Sequence, residues 1–542
     1  MRIRRLAASV LAAFCLLGAA LSGLTAQQTK PAAADAKTTD RLVADLGDKD
    51  NGVREAAQKQ LLDIGDAAQP ALYQAAKLAD TEAGTQAAAA LKAIRAREVL
   101  IKDLGTGPAR RGAASPRDMV EFRPFLSPNG ERMAYYLQRA GQQILVCDGK
   151  EGPAADRVLY AGPFSRDSSR FAYQMDLGGQ RSIVFVGAEE NPILTSDAGR
   201  PIFSDDGKRI AYSARGTGAE WVVCDGKGGP HYWRASPVAF SPDGKRLACQ
   251  VQENDGRKSI VVEGEPGERF ENGDTLAFSP DGRRVACTVH LGDGKPMAVV
   301  CDGSKGQAYP EVFSPIFSPD SKSMAYWARS DDGKTKFIIR DGKELARIAG
   351  EPRLAFSPDS RRLAWSVYEG DTVGFCDAGA TTVTIDQGYA ATSAVVFSPD
   401  SKHLACSVGA SMNWSVHVDG RALPGRYAPA NFLFGDESRI AGWMLAPPGF
   451  SADGRHVFYQ GFRRLPGSGA APELRRHFVV CDGEEGPEHD EVWIPQDFQN
   501  NAPRLRYVVR DGAQVRLVER VWPLPLSWQD VAAPANQTSE PK

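Results

Sequence analysis

Apolar and polar positions in this chain alternate in a fixed order that recurs over most of its length. Around Ser241, Pro237-Val238-Ala239-Phe240 is apolar and Ser241-Pro242-Asp243-Gly244 is turn-forming. Lys245-Arg246 is charged, and Leu247-Ala248-Cys249 is apolar again. A variable polar stretch from Gln252 to Lys258 leads to Ser259–Val262 and then to Glu263-Gly264. The pattern predicts a strand, a tight turn, a return strand, a loop, a third strand and a second turn, with the segment ahead of the next Phe-Ser supplying a fourth strand. Pro sets the turn φ, Asp and Ser bond the local backbone, and Gly takes the left-handed position. Lys245 and Arg246 are expected to face solvent. Other units carry Asp148-Gly149, Asp225-Gly226, Asp302-Gly303, Asp341-Gly342, Asp419-Gly420 and Asp482-Gly483 at the second turn, pairs that favour primed hairpins.

The Phe-Ser-Pro-Asp-Gly phrase returns, with variations, at Ser127, Ser165, Ser204, Ser241, Ser279, Ser318, Ser357, Ser398 and Ser451, with steps of 38, 39, 37, 38, 39, 39, 41 and 53 residues. A period near 40 with four short strands predicts a β-propeller. Eight blades are expected, with nine as the alternative. A degenerate copy, Phe434 to Ala441, shares one elaborated blade with Ser451, and Arg504 to Val521 completes the ring by pairing with the first sheet. Residues 118–530 form the propeller, Trp522–Leu526 packs as its ending, and residues 531–542 are a disordered tail. At the glycine position of the first turn, Ser168, Ser321, Ser360 and Ser401 either enter the left-handed region at a cost of about 1 kcal/mol or belong to a different turn.

Ahead of the ring the period changes to three and four residues. Leu42, Val43 and Leu46 close one helix. Val53, Ala57, Leu61 and Ile64 form a second, and Ala67 to Ala79 a third. Ala83 to Ile94 repeats the second at an offset of 30, with Ala57, Leu61 and Ile64 answered by Ala87, Leu91 and Ile94. The phrase Val53-Arg54-Glu55-Ala56-Ala57, followed by Leu61, Gly65 and Pro70-Ala71-Leu72, resembles short bacterial HEAT repeats. That resemblance implies an inter-helix contact for Arg54, whose equivalent in the second copy is Gly84. Residues 38–104 are thus a HEAT-like helical segment, either a cap on the propeller or a protein-docking surface. Residues 105–117 read as a linker.

Residues 1–26, with a basic Met1-Arg2-Ile3-Arg4-Arg5 head, an apolar Leu6–Leu21 run and Leu24-Thr25-Ala26, read as a secretory signal peptide, followed by a tether at residues 27–37. The rival reading is an uncleaved anchor. After cleavage no stable membrane span remains, and the location is periplasmic or secreted. The 65 basic and 67 acidic residues nearly balance, without the concentrated positive charge of a nucleic-acid binder. Cys147, Cys224, Cys301, Cys376 and Cys481 precede Asp or stand beside it. Cys249, Cys287 and Cys406 follow Leu-Ala or Val-Ala. These repeat-equivalent cysteines are expected to be free, small buried hydrophobes rather than disulfide partners. No Cys-x-x-Cys or adjacent Cys-His pair signals a metal, so no metal or cofactor is expected.

The recurring Phe-Ser-Pro-Asp-Gly-Lys-Arg-Leu-Ala phrase resembles the WD-like repeats of TolB-type propellers, from about Phe122 to Val480. The resemblance implies a propeller that binds proteins or other ligands at the mouth of its ring. A peptidase-type hydrolase domain is not expected, because no Gly-x-Ser-x-Gly elbow occurs. Of the seven histidines, His403 and His456 fall in the charged slot after the first turn, expected to face solvent. No catalytic residue is assigned. The recognition candidates are His231, Tyr232, Trp233 and Arg234, which either anchor a partner or pack between blades, and Trp414, Tyr427, Phe432 and Trp443 in an irregular insert. The expected function is an exported, non-catalytic scaffold with a protein partner in the cell envelope. The alternatives are a hydrolase or lactonase-like enzyme with a channel site, or a purely structural envelope component.

Overall fold

In the computed structural model the apolar runs become strands and the Ser-Pro-Asp-Gly phrases become the turns between them. The structure describes residues 36–78, 81–106, 124–139, 141–186, 191–195, 197–264, 268–292, 296–369, 372–377, 380–386, 391–410, 413–423, 428–429, 448–464, 475–494 and 505–520. The chain divides into a helical unit ending at Ile94 and a strand-built unit beginning at Arg95.

The helical unit contains α1 (Ala36–Asp45), α2 (Asn51–Ile64), α3 (Gln69–Ala76) and α4 (Glu82–Ala96). Asp50 caps α2, its carboxylate accepting the Gly52 N–H at 2.7 Å. Leu42, Leu46, Ala57, Leu61, Leu72, Ala87, Leu91 and Ile94 share one core. Arg54 donates to the Asp48 and Lys49 carbonyls at 2.8 and 3.2 Å, tying the α1–α2 loop to α2. Val53 faces solvent instead of joining the core.

Among the described residues, the strands sort into ten antiparallel sheets. Blades 1 to 9 span residues 125–155, 157–195, 197–232, 234–271, 273–305, 311–348, 353–386, 391–422 and 428–485. Blade 10 consists of Glu491–Trp493, Leu505–Asp511 and Gln514–Arg520, with Glu98–Thr106 as its fourth strand. Sheets pack face to face in succession. Leu145 of blade 1 shares a cluster with Phe171 of blade 2, and Phe458 of blade 9 with Tyr507 of blade 10. Val508 and Leu517 of blade 10 then meet Met133 of blade 1, which closes the ring. Alternation along a strand serves two interfaces at once: Val480 faces blade 8 while Val479 faces blade 10. First strands of several successive sheets touch one another. Radial sheets converge at their inner edges, so the first strands line the channel and the fourth strands face outward.

The fold class expected from the repeats, a β-propeller preceded by a small all-α segment, is the one found. Among the described residues each of the nine motif copies marks its own sheet, and one further sheet lacks the motif. The strands within Arg504–Val521 do not join the first sheet. Leu505–Asp511 pairs with Gln514–Arg520, which in turn pairs with Glu98–Thr106, a strand the sequence reading divided between helical segment and linker. Strands at residues 428–429 and 449–450 both pair with Val457–Arg464; the degenerate copy at residues 434–441 lies outside the described residues.

The motif side chains hold each turn to the next. Each motif Ser is buried, donates to the carboxylate or amide oxygen two residues on at 2.5–2.7 Å, and accepts the N–H five residues on at 2.9–3.0 Å. The residue five positions on is usually Arg, and it is not simply exposed. Arg209 donates to Asp225 Oδ2 at 2.8 Å and to the next blade's Gly244 and Lys245 carbonyls at 2.8 and 3.1 Å. Its guanidinium lies 5.2 Å from the Phe240 ring centroid. Arg132 and Arg284 repeat the arrangement against Phe164 and Phe317. The expectation of solvent-facing Lys245 and Arg246 holds for Lys245 only; Arg246 is buried against Phe278 and Glu268.

The four serines at the glycine position do enter the left-handed region, at φ 62–66°, beside glycines at φ 67–69°. Each Oγ accepts a backbone N–H from the preceding blade's turn, at 2.9–3.1 Å, which offsets the conformational cost.

Candidate functional site

In an up-and-down blade the first and third turns lie on one face of the ring. The loop between second and third strands lies on the other, with the crossing to the next blade. The Ser-Pro-Asp-Gly and Asp-Gly turns therefore share the clasped face. Trp233 lies on the opposite one, where it joins the outer strand of blade 3 (Lys227–Tyr232) to the first strand of blade 4 (Arg234–Phe240).

The four residues at 231–234 differ in burial: Tyr232 is half-buried, and His231, Trp233 and Arg234 are exposed. Tyr232 is half-buried between blades, beside Val222, Cys249 and Val251, and burial raises its phenol pKa. His231 is exposed and stacks flat on Trp221 of the neighbouring strand, with ring centroids 4.5 Å apart and planes within 7°. Trp233 donates its backbone N–H to the Gln252 carbonyl at 2.9 Å, which fixes the backbone while its side chain remains 54% exposed. Arg234 is exposed next to it. His231, Trp233 and Arg234 are thus all exposed on a backbone held at both ends by strands. Such groups bury large area on binding at little entropic cost.

Trp414 is different. It lies in the strand Asn413–Val418 and is only 7% exposed, so it is a packing residue and not an interface anchor. The β alternation that buries it is visible in Asn413-Trp414-Ser415-Val416; reading the stretch as an irregular insert overlooked it. Tyr427, Phe432 and Trp443 lie outside the described residues.

Two clusters of titratable groups were missed. His456 is buried, contrary to the solvent-facing expectation, and its Nδ1 lies 2.6 Å from Asp482 Oδ2, with Cys481 adjoining. His403 likewise meets Asp419 at 2.6 Å. Both histidines occupy the arginine slot of the clasp, so the slot and not local hydropathy decides their burial. In blade 10, Glu98 accepts hydrogen bonds from Tyr507 and from His489 Nε2, the latter at 3.0 Å, and Asp511 faces His489 Nδ1 at 2.9 Å. Burial opposes charge on His489, but the two carboxylates outweigh it and raise its pKa. These residues are 391 positions apart in the case of Glu98 and His489, a separation no local pattern reveals.

The seven described cysteines are free. Burial raises the Cys147, Cys249 and Cys287 thiols to about 12, and Cys481 well above its ordinary value. Burial thus favours the protonated thiol at these four positions.

No family model and no curated protein matches this chain. Solved structures do. A crystal structure of the eukaryotic initiation factor is 15% identical, covers 72% of this chain and 99% of its own, with a TM-score of 0.38. TolB from Acinetobacter baumannii is 17% identical over 46% of this chain and 77% of its own, TM-score 0.22. The β-propeller domain of the Trilobed protease from Pyrococcus furiosus is 14% identical over 61% and 93%, TM-score 0.26. These likenesses are confined to the fold. Among the described residues no helix is long and apolar enough to cross a membrane.

Proposed function

We propose that this chain is an exported, non-catalytic recognition scaffold that binds a protein partner in the cell envelope through the ring face carrying Trp233. Export rests on the basic head and apolar run of residues 1–26. The observation that supports the binding reading most is the contrast between the two faces. On one, the recurring Ser, Asp and Arg side chains are engaged in holding turn to turn. On the other, Trp233 is exposed on a backbone tied to Gln252, in the same segment as Arg234 and as His231, which stacks on Trp221. Aromatic and arginine side chains dominate the energetics of protein interfaces.

The test is affinity capture from the organism's own envelope fraction, comparing the wild-type mature chain with Trp233→Ala and Arg234→Ala. A specific partner retained by wild type and lost with Trp233→Ala, at unchanged melting temperature, supports the reading. Identical capture by wild type and both variants would remove this face from consideration.

A further inference from the structure

We propose that blade 9 contains a buried binding site for one divalent transition-metal ion of the zinc class, held by His456, Cys481 and Asp482. The three residues are 3%, 0% and 5% exposed, and one donor atom from each lies within 4.8 Å of the others. His456 directly precedes the second strand of the blade, Val457–Arg464. Cys481 ends the third strand, Arg475–Cys481, and Asp482 begins its turn at φ 53°. The Phe458↔Cys481 register fixes the two strands against each other.

The repeat itself indicates that this position is built for a cation. In blades 1, 3 and 5 the equivalent trios are Arg132/Cys147/Asp148, Arg209/Cys224/Asp225 and Arg284/Cys301/Asp302. There a guanidinium sits against both the carboxylate, at 2.7–2.8 Å, and the sulfur, at 3.1–3.8 Å. Blade 9 keeps the sulfur and the carboxylate and exchanges the permanent cation for an imidazole, a ligand that can itself bind a metal. Charge is conserved in the exchange. Arginine, carboxylate and thiol sum to zero. So do a divalent ion, a carboxylate, a thiolate and a neutral imidazole, once Cys481 has released one proton on binding.

The rival account is a plain His456–Asp482 hydrogen bond standing in for Arg–Asp. Blade 8 shows what that looks like: His403 and Asp419 make the same 2.6 Å contact, but Val418 replaces the cysteine. Blade 9 differs from it by supplying the sulfur. Asp482 Oδ1 already accepts the Val457 N–H at 2.8 Å, leaving Oδ2 as its single ligand atom. Bond lengths of about 2.0–2.3 Å to N, O and S require the donors to draw in and the His456–Asp482 contact to open slightly. Arg95 and Arg520 lie nearby, but Arg95 is paired with Glu484, and Arg520 donates to the carbonyls of Arg95 and Val479.

The experiment uses the full mature chain, stripped with a chelator and titrated with Zn2+ against a chromogenic competitor, and with Co2+ as a visible probe. One equivalent of Zn2+, one proton released and a near-ultraviolet Co2+–thiolate band are expected. His456→Arg, which restores the clasp of blades 1, 3 and 5, and Cys481→Val, which copies blade 8, should each weaken binding by about 100-fold or more. His403→Arg should leave it unchanged. The thiolate band is read on the wild-type chain and so does not depend on any variant folding. Absence of that band, or undiminished binding in folded His456→Arg, would overturn the site.

Discussion

Arg340 stands 5.3 Å from the ring centroid of Phe356 and donates to the Ser360 and Arg361 carbonyls at 3.2 and 3.0 Å. In most other blades this clasp comes from the residue five positions after the motif Ser, but in blade 6 that residue is Ser323 and cannot reach. Arg340 replaces it from the third strand, at the position that holds cysteine in blades 1, 3 and 5. The contact is conserved within the molecule although the residue supplying it changes strand.

Arg340→Ala should therefore destabilise the ring by about 2 kcal/mol, since a cation–aromatic contact and two charge-assisted hydrogen bonds are lost together. Adding Ser323→Arg to Arg340→Cys should recover most of the loss by restoring the arrangement of blade 5. Urea unfolding of the three chains measures this; no recovery in the double variant would show that the clasp depends on more than these two positions.

Ser360 offers a sharper test of the turn. Its φ is 66° and its Oγ accepts the Asp320 N–H at 2.9 Å. Ser360→Ala keeps the strain and loses the bond, at a cost of about 1 kcal/mol. Ser360→Gly loses the bond but relieves the strain, and should stay within about 0.5 kcal/mol of wild type. The order Gly above Ala in melting temperature is the expected result.

Ring closure should depend on pH. His489 has a raised folded pKa because Glu98 and Asp511 outweigh the burial that opposes its charge. Its contribution is then full below the unfolded value of about 6.5 and is lost as pH rises through the higher folded value. Thermal midpoints measured from about pH 5.5 to pH 8.5 should fall more in wild type than in His489→Gln. Parallel curves would exclude this group as the cause.

The thiols supply a fourth expectation. With Cys147, Cys249 and Cys287 at about 12, folded protein at neutral pH should resist alkylation by iodoacetamide, while unfolded and unreduced protein should react at every described cysteine. Peptide mass spectrometry distinguishes the states, and a stoichiometric bridge would contradict the free assignment.

The propeller and its strands were legible because hairpin turns and two-residue alternation are local properties. The Phe240-Ser241-Pro242-Asp243-Gly244 phrase contains its whole turn, and the structure adds only the neighbours. What the sequence left unread depends on pairing across distance. Arg246 and His456 look solvent-facing beside Lys245 and Arg455; only the adjacent blade or the following turn shows why they are buried. The tenth blade lacks the motif, and its fourth strand, Glu98–Thr106, precedes the first motif copy. Trp233 and Tyr232 are neighbours of similar character, yet one is exposed and the other half-buried, because strand direction between two sheets decides which way each points.

Pairing of Glu98–Thr106 with Gln514–Arg520 also sets an order of events during synthesis. The first of these strands leaves the ribosome early and waits for the second through nearly the entire repeat array. Until the later strand arrives, the nascent chain is an open arc, with Met133 and its neighbours on blade 1 lacking the partners that will cover them. Each sheet can form as it emerges, whereas the ring is completed in one late step of very long sequence separation. A chain interrupted anywhere before that step keeps an uncovered apolar face, and this marks it as unfinished to any factor that surveys exposed hydrophobic surface.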